Sequence, residues 1–461
     1  MANQQLNKID LCSGIIPQLY VMPGDSTNVP QSGRGDKVAV IGAFPKVSPS
    51  LEHYTSYLNA ASGLNITVGT NDIYQKSEAL ERKEDTDYFM GAGSLRYLFH
   101  TGTGESTVSD VTVCNYSTYA LIDKNDPSKG IKCDGEKNVY DVELTNDKLK
   151  NALAQLKHEK FDILLLAFAP TKEQLDAIIA WERELYTRAN PVGVVFGTSD
   201  QQLDVINSQT ITTQSSGSGE NKKVVSVVES VVADGFKAKT INARDICELI
   251  NGTFKKAKES NGENHTLYAC IPQGYKLSFE NKYLTPVESA AYYCGAIANL
   301  RVNKSMTNRT LDYIDAINED LVYINDSSVG NTGDRKSDGY KLVEAGVTML
   351  QCVNRSNKTY AVVNSQQPCG FDLAHLRTTA YIVKRLQLDE YLGKVNNITN
   401  IDLINNKVSS MRSLYIGMFD ILDDIDYNVE RAGKNCVKIY LKMVYYGIIL
   451  NEVIYLDEEV I

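Results

Sequence analysis

Apolar residues along this chain fall in short runs set off by turn residues, and the spacing within each run says what it builds. Residues 37–44 (KVAVIGAF) are apolar and β-branched and stop at Pro45, which holds the residue before it extended; this predicts a buried strand. Residues 162–168 repeat the pattern and stop at Pro170. Thr171 and Gln174 then have the spacing of a capping box. Leu175, Ile178, Ile179, Leu185 and Tyr186 follow at helical spacing, predicting a helix over 172–189. Residues 192–196 read as a further buried strand, so 161–197 is a right-handed β-α-β crossover and implies a parallel sheet.

The remaining segments are read the same way. Residues 15–22 predict a short extended segment, joined to the run at 37–44 through the turn-rich stretch 24–35. Residues 101–150 give an irregular β reading, and 201–223, rich in Ser, Gln, Gly and Asn, read as a solvated loop or insertion tip. Residues 286–299 (PVESAAYYCGAIAN) predict a helix whose Ala290, Ala291, Gly295, Ala296 and Ala298 permit close approach of another backbone, so it should be central. Farther on, 341–345 predicts a short helix, 347–353 and 359–363 a hairpin around 354–358, and 372–392 and 401–422 long helices. Val437, Ile439, Leu441 and Met443 alternate with Lys438, Tyr440 and Lys442, a strand pattern, and 448–456 continues in a β-prone register.

With 461 residues the chain has room for more than one core. Its 43% hydrophobic and 23% charged residues place it among ordinary globular proteins. A net charge of −10 offers no footprint for wrapping phosphate backbones, so nucleic acid is not an expected partner. Residues 1–10 have neither the cationic start nor the apolar core of a secretory signal, and no apolar run reaches the roughly 20 residues of a membrane helix; no direct membrane insertion is expected. The nine cysteines are scattered without a C-x-x-C pair, which suits reduced core thiols and neither a disulfide frame nor a zinc site.

Motifs for chemistry are sparse. TGTGES at 101–106 lacks the lysine and spacing of a phosphate-binding loop, FMGAGSLRY around Gly91 and Gly93 lacks a third glycine and reads as a plain turn, and no G-x-S-x-G elbow occurs. The five histidines, His53, His100, His158, His265 and His375, stand outside metal-ligand spacing of one another, so no cofactor, metal or catalytic residue is expected. Arg34-Gly35-Asp36 spells an integrin-binding tripeptide, and several Asn-x-Ser/Thr triplets spell glycosylation acceptors. Both patterns are short enough to arise from composition alone.

Residues 287–321 (VESAAYYCGAIANLRVNKSMTNRTLDYIDAINEDL) resemble the helix and following segment of the contractile tail sheath proteins of phages and phage-derived machines. Further pieces follow in that family's order. Residues 341–363 resemble its short helix, glycine and hairpin, YLGKVNN at 391–397 is similar to the turn before its last long helix, and 437–456 is like its closing strands. GIIPQLYVMP and KVAVIGAFP resemble its opening arm and first core strand. The resemblance implies a structural subunit, not an enzyme, that polymerises as stacked hexameric rings around an inner tube and contracts to drive the tube through a target envelope. It implies as partners the chain itself, the inner tail tube protein, and baseplate and terminator proteins. It implies as location a virion tail or phage-tail-like particle, assembled in the host cytoplasm. Two other classes stay open: a secreted surface-layer or adhesin protein, and a parallel-sheet α/β enzyme suggested by the 161–197 crossover.

The expected fold class is mixed α/β (α+β), a multi-domain subunit with a discontinuous core domain, an inserted middle module and extended N- and C-terminal β arms. Boundaries are expected at 1–36 (arm and linker), 37–100 (first part of the core or outer domain), 101–285 (inserted α/β modules), 286–447 (C-terminal core domain) and 448–461 (arm strand), with the middle carried outside. Strands donated between subunits are expected to use Ile15, Ile16, Leu19, Tyr20 and Val21 at one end, and Ile448, Leu450, Val453, Ile454 and Leu456 at the other, because a strand apolar on both faces needs cover. Asp420, Asp423, Asp424 and Asp426, placed on the last long helix and the turn after it, are the candidate tube-facing residues, since clustered like charges call for basic partners.

Overall fold

The computed structural model describes residues 36–46, 48–66, 89–99, 108, 110–119, 131–132, 139–141, 143–187, 190–200, 209–216, 223–230, 243–255, 267–280, 282–317, 338–354, 359–368, 371–386, 397–418, 422–431 and 436–444. The two short apolar runs that the sequence marks as strands lie side by side at its centre. β1 (Val38–Gly42) pairs in parallel with β7 (Ile163–Leu166), Val38 opposite Ile163, and on its other side in parallel with β3 (Val111–Asn115). β8 (Gly193–Gly197) and β11 (Leu267–Ile271) extend the parallel array beyond β7, and β2 (Ser50–Tyr54) closes the other edge antiparallel to β3. The resulting order is β11-β8-β7-β1-β3-β2, while the short strands β4 (Thr118–Tyr119), β5 (Ile131–Lys132) and β6 (Val139–Asp141) form a separate sheet in the order β4-β6-β5. Every residue of the five parallel strands is buried, as a sheet covered on both faces requires.

Helices supply that cover. α1 (Tyr57–Gly63) and α2 (Met90–Phe99) lie between β2 and β3 in the chain, α3 (Asn146–Leu156) precedes β7, and α4 (Lys172–Thr187) links β7 to β8. The capping box forms as spelled: the Thr171 N–H donates to Gln174 Oε1 at 2.9 Å, and the Gln174 N–H to Thr171 Oγ1 at 3.3 Å. α5 (Ala243–Ile250) leads into a π-helical turn and then β11. α6 (Pro286–Ala298) starts with a second capping box, Thr285 with Glu288, packs against α2, and lies on β7, β8 and β11, the central place its small residues imply. A Cβ at Gly197 would fall 2.3 Å from the Pro286 backbone, so the end of β8 meets the start of α6 at a distance only glycine allows.

Two-stranded sheets and a smaller lobe complete the described chain. β12 (Tyr275–Leu277) pairs with β13 (Ile314–Ile317), and α7 (Asp338–Glu344) ends at Gly346, whose φ of +84° suits glycine. β14 (Leu350–Asn354) and β15 (Thr359–Val362) form the expected hairpin. α8 (Leu373–Arg385), capped by Asp372, and α9 (Ile398–Ser413) occupy the two long-helix segments, each shorter than its sequence span. β16 (Asp424–Arg431) and β17 (Val437–Val444) close the described chain as an antiparallel pair. Apolar contacts run as one cluster from Val38 to Leu376, with smaller clusters around Tyr381, Tyr415 and Ile425 and around Ile404 and Val408.

Several expectations are corrected. Gly91 and Gly93 stand inside α2 and not in a turn; a Cβ at Gly91 would lie 2.5 Å from the Ala43 carbonyl oxygen, so the glycine serves close packing against the chain after β1. The segment 201–223, read as loop, contains β9 (Gln209–Ser216), paired antiparallel with β10 (Lys223–Ser230). Cys114, Cys247, Cys270, Cys294 and Cys352 are free thiols, as the spacing suggests, whereas Cys436 is disulfide-bonded. The fold class is mixed α/β with a mainly parallel sheet.

Candidate functional site

Parallel sheets of this winding bind ligands where the chain reverses direction, outside the carboxyl ends of the two strands flanking the reversal. Here those strands are β1 and β7, and the place is filled. Phe44 and Ala167 are fully buried there, and a Cβ on Gly42 would already touch both. Asn115 Oδ1 accepts the Phe44 and Ser117 N–H groups at 3.2 and 3.0 Å, and Ser117 Oγ donates to the Phe44 carbonyl at 2.6 Å. Buried polar groups that satisfy one another in this way make a packed joint among the described residues. A Thr–His–acid set missed by motif reading lies nearby: Thr112 Oγ1 sits 3.1 Å from His53 Nδ1, and His53 Nε2 is 3.3 Å from Glu159. Thr112 lies in the interior of the sheet, 3% exposed, out of reach of a substrate. No group of three or more metal-ligating side chains occurs among the described residues, and no described helix is long and apolar enough to cross a membrane.

The strongest electrostatic feature lies at the opposite end of β1. Asp36 Oδ2 accepts Arg377 Nε at 2.9 Å and Arg377 Nη2 at 2.8 Å, and Nη2 also reaches the Leu300 carbonyl at 2.7 Å. Seven residues along α8, two helical turns on, Lys384 Nζ donates to Asp162 Oδ1 at 2.9 Å and to the Phe161 carbonyl. The Arg377 side chain is 1% exposed. Burial pushes Asp36 up to about 6 against the lowering pull of Arg377, with the Asp162 charge adding to the rise. Burial works in the same sense on Asp162, but Lys384, the Lys37 N–H and Arg385 hold it below the ordinary aspartate value. Pairing with Arg377 takes Asp36 out of the integrin-like tripeptide; Arg34 and Gly35 lie outside the described residues. A second buried pair, Arg96 Nη2 to Glu280 at 2.8 Å, ties α2 to the chain after β12.

The C-terminal lobe carries the candidate surface residues. α9 buries Ile404 and Val408 against Tyr427, Val429, Val437, Ile439 and Leu441, one face of the β16–β17 hairpin. The other face is charged, with Asp426 opposite Lys442 and Glu430 opposite Lys438 in the register. The acidic set is therefore placed differently from expectation: Asp424 and Asp426 are strand residues, not part of a helix end. Asp424 accepts Arg412 Nη2 at 2.8 Å, which with the Ile425 N–H holds its carboxyl below the usual range. Asp423 and Asp426 are exposed. Asp420 lies outside the described residues, as do the arm residues Ile15, Ile16, Leu19, Tyr20, Val21, Ile448, Leu450, Val453, Ile454 and Leu456. Strand β16 escaped the sequence reading although Ile425, Tyr427 and Val429 alternate at period two between polar residues; the run of aspartates drew attention to charge instead.

No family model matches the chain, and no curated protein matches it. Among solved structures it is similar to the sheath tail protein of Desulfitobacterium hafniense, at 11% identity and a TM-score of 0.48, covering 92% of this chain and 100% of that one. It is similar to the sheath tail protein of Listeria innocua at 10% identity and the same TM-score, covering 90% and 96%. It is also similar to the contracted helical sheath of the anti-feeding prophage at 9% and 0.48, covering 97% and 96%. At such identities and TM-scores the likeness is one of outline.

Proposed function

We propose that this chain is the sheath subunit of a contractile, phage-tail-like injection machine. It would polymerise as stacked hexameric rings around an inner tube, dock on a baseplate, and contract to drive the tube through a target envelope. The observation that carries this reading is the two-stranded β16–β17 sheet. Among the described residues neither strand pairs with a third, so each keeps an open edge. Such an edge offers unpaired amides and carbonyls to another chain. In the sequence after it, Ile448, Leu450, Ile454 and Leu456 alternate with Ile449, Val453 and Tyr455, a period-two pattern that is apolar on both sides. Donated between subunits together with the segment at 15–22, this stretch links rings at nearly fixed length while contacts between cores exchange. The packed switch point of the central sheet supports a structural role in place of an enzymatic one.

On this reading Asp423 and Asp426, with Asp420 and Asp424, face a basic inner tube. The 286–447 segment and the chain from residue 37 form the polymerising core, and the particle is a virion tail or phage-tail-like assembly. Truncation after Gly447 tests the donated strand. A folded chain that forms no cylinders is the expected result, and normal cylinders from the shortened chain would refute strand donation.

A further inference from the structure

We propose that Asp36 and Arg377 form a clamp that makes the root of the N-terminal segment and helix α8 one mechanical unit, so that a pull on the chain before Asp36 is delivered to α8 and spares the end of β1. The sheath reading supplies only the source of the pull; the clamp itself is a property of a single chain. Contacts from four parts of the fold converge on residues 36–38. The Asp36 N–H donates to the Ala298 carbonyl at the end of α6 at 3.0 Å, and its carboxylate takes both donors of Arg377. The Lys37 N–H donates to Asp162 Oδ2 at 3.0 Å, its carbonyl accepts the Asp162 N–H at 2.8 Å, and Lys37 Nζ pairs with Asp110 at 2.6 Å. The Val38 N–H donates to the Asp110 carbonyl at 3.3 Å. Arg377 is braced from behind by the Leu300 and Arg301 carbonyls, and Lys384 fixes the next turns of α8 to Asp162 and Phe161.

The position of this set distinguishes it from an ordinary buried ion pair. Tension entering at Asp36 without the clamp would meet the bonds of Lys37 and Val38 one after another, and bonds loaded singly yield in turn. With the clamp, the two Arg377 contacts and the Ala298 contact share the load before β1 feels it. A guanidinium held by two backbone carbonyls and one carboxylate has little freedom to follow a displaced partner, which keeps the joint stiff.

The test is force spectroscopy on the full chain at monomeric dilution, with one handle at the N-terminus and the other at exposed Asn406 in α9. Asp36→Asn keeps the shape and removes the charge, and Arg377→Lys keeps the charge and loses the fork. At pH 8, where Asp36 is ionised, we expect the force of the first rupture to fall by up to about half in Asp36→Asn, since charge-assisted bonds are roughly twice as strong as neutral ones and the Ala298 contact is left in place, with a smaller fall in Arg377→Lys. Should Asp36→Asn fail to fold, Arg377→Lys alone carries the comparison. A control pull between handles at Asn406 and exposed Lys150 in α3, which leaves the root of the N-terminal segment unloaded, should be unchanged in the variants. An unchanged first rupture in folded variants overturns the clamp, and so does an equal fall in the control geometry, which would indicate general loosening. Failure of the unaltered chain to form cylinders would remove the sheath reading and leave these outcomes readable.

Discussion

Replacing Asp36 by Asn should change how stability depends on pH in one direction only. The folded chain holds Asp36 near pKa 6 against an ordinary value of 3.8, because burial outweighs the Arg377 charge. A carboxyl raised in the folded state binds its proton more tightly there than in the unfolded chain. Its stabilising contribution is therefore complete below about pH 3.8 and is lost as pH rises through about 6. A rise of that size corresponds to about 3 kcal/mol, at roughly 1.36 kcal/mol for each pKa unit, an order-of-magnitude figure for a group only 10% exposed. Tyr268 on β11 and Cys294 on α6, which feel the Asp36 charge, are both pushed up by burial and stay neutral in that window. Asp162 acts below it, its contribution lost only as pH falls beneath the ordinary aspartate value. Urea unfolding of both chains from pH 4 to 7 gives the difference directly, since carboxylates elsewhere cancel between them. The stability of the native chain relative to Asp36→Asn should grow by up to about 3 kcal/mol as pH falls. A flat difference, or one that shrinks toward acid, would mean that Arg377 outweighs burial and that Asp36 is held low.

Gly197→Ala should lower stability by about 1–3 kcal/mol in the same urea assay, because the new Cβ meets the Pro286 backbone and cannot push a flexible side chain aside; a neutral substitution would show that β8 and α6 can separate without cost. Changing Asp420, Asp423, Asp424 and Asp426 to Asn should weaken assembly on the tube and flatten its salt dependence, measured by sedimentation at low and high salt. Unchanged assembly would remove the acidic set from the tube surface, and the Arg412 contact to Asp424 makes Asp423 and Asp426 the positions where single changes should tell most.

Local signals in the sequence carried the elements, and distance along the chain hid their assembly. The run ending at Pro45, the capping box at Thr171 and Gln174, and the alternation through Val437 to Met443 each depend on neighbours a few residues apart, and each forms where expected. Nothing local says that β1 sits between β3 and β7 in one sheet. Gly91 and Gly93 suggest a turn because glycine is permissive, yet in α2 the missing Cβ serves helix packing. Thr, Ser and Gln make β9 read as loop, since hydropathy is weak in a hairpin outside the central sheet. Arg377 and Asp36 are separated by 341 positions, and Asp36 stands out in the sequence only as the last letter of a tripeptide motif. A buried ion pair leaves no periodicity, so its partners are found only in the folded chain.

Electron microscopy of the purified full chain tests the central claim most directly. The sheath reading predicts hollow cylinders built of stacked six-fold rings, whereas flat lattices or monodisperse single particles at every concentration examined would contradict it.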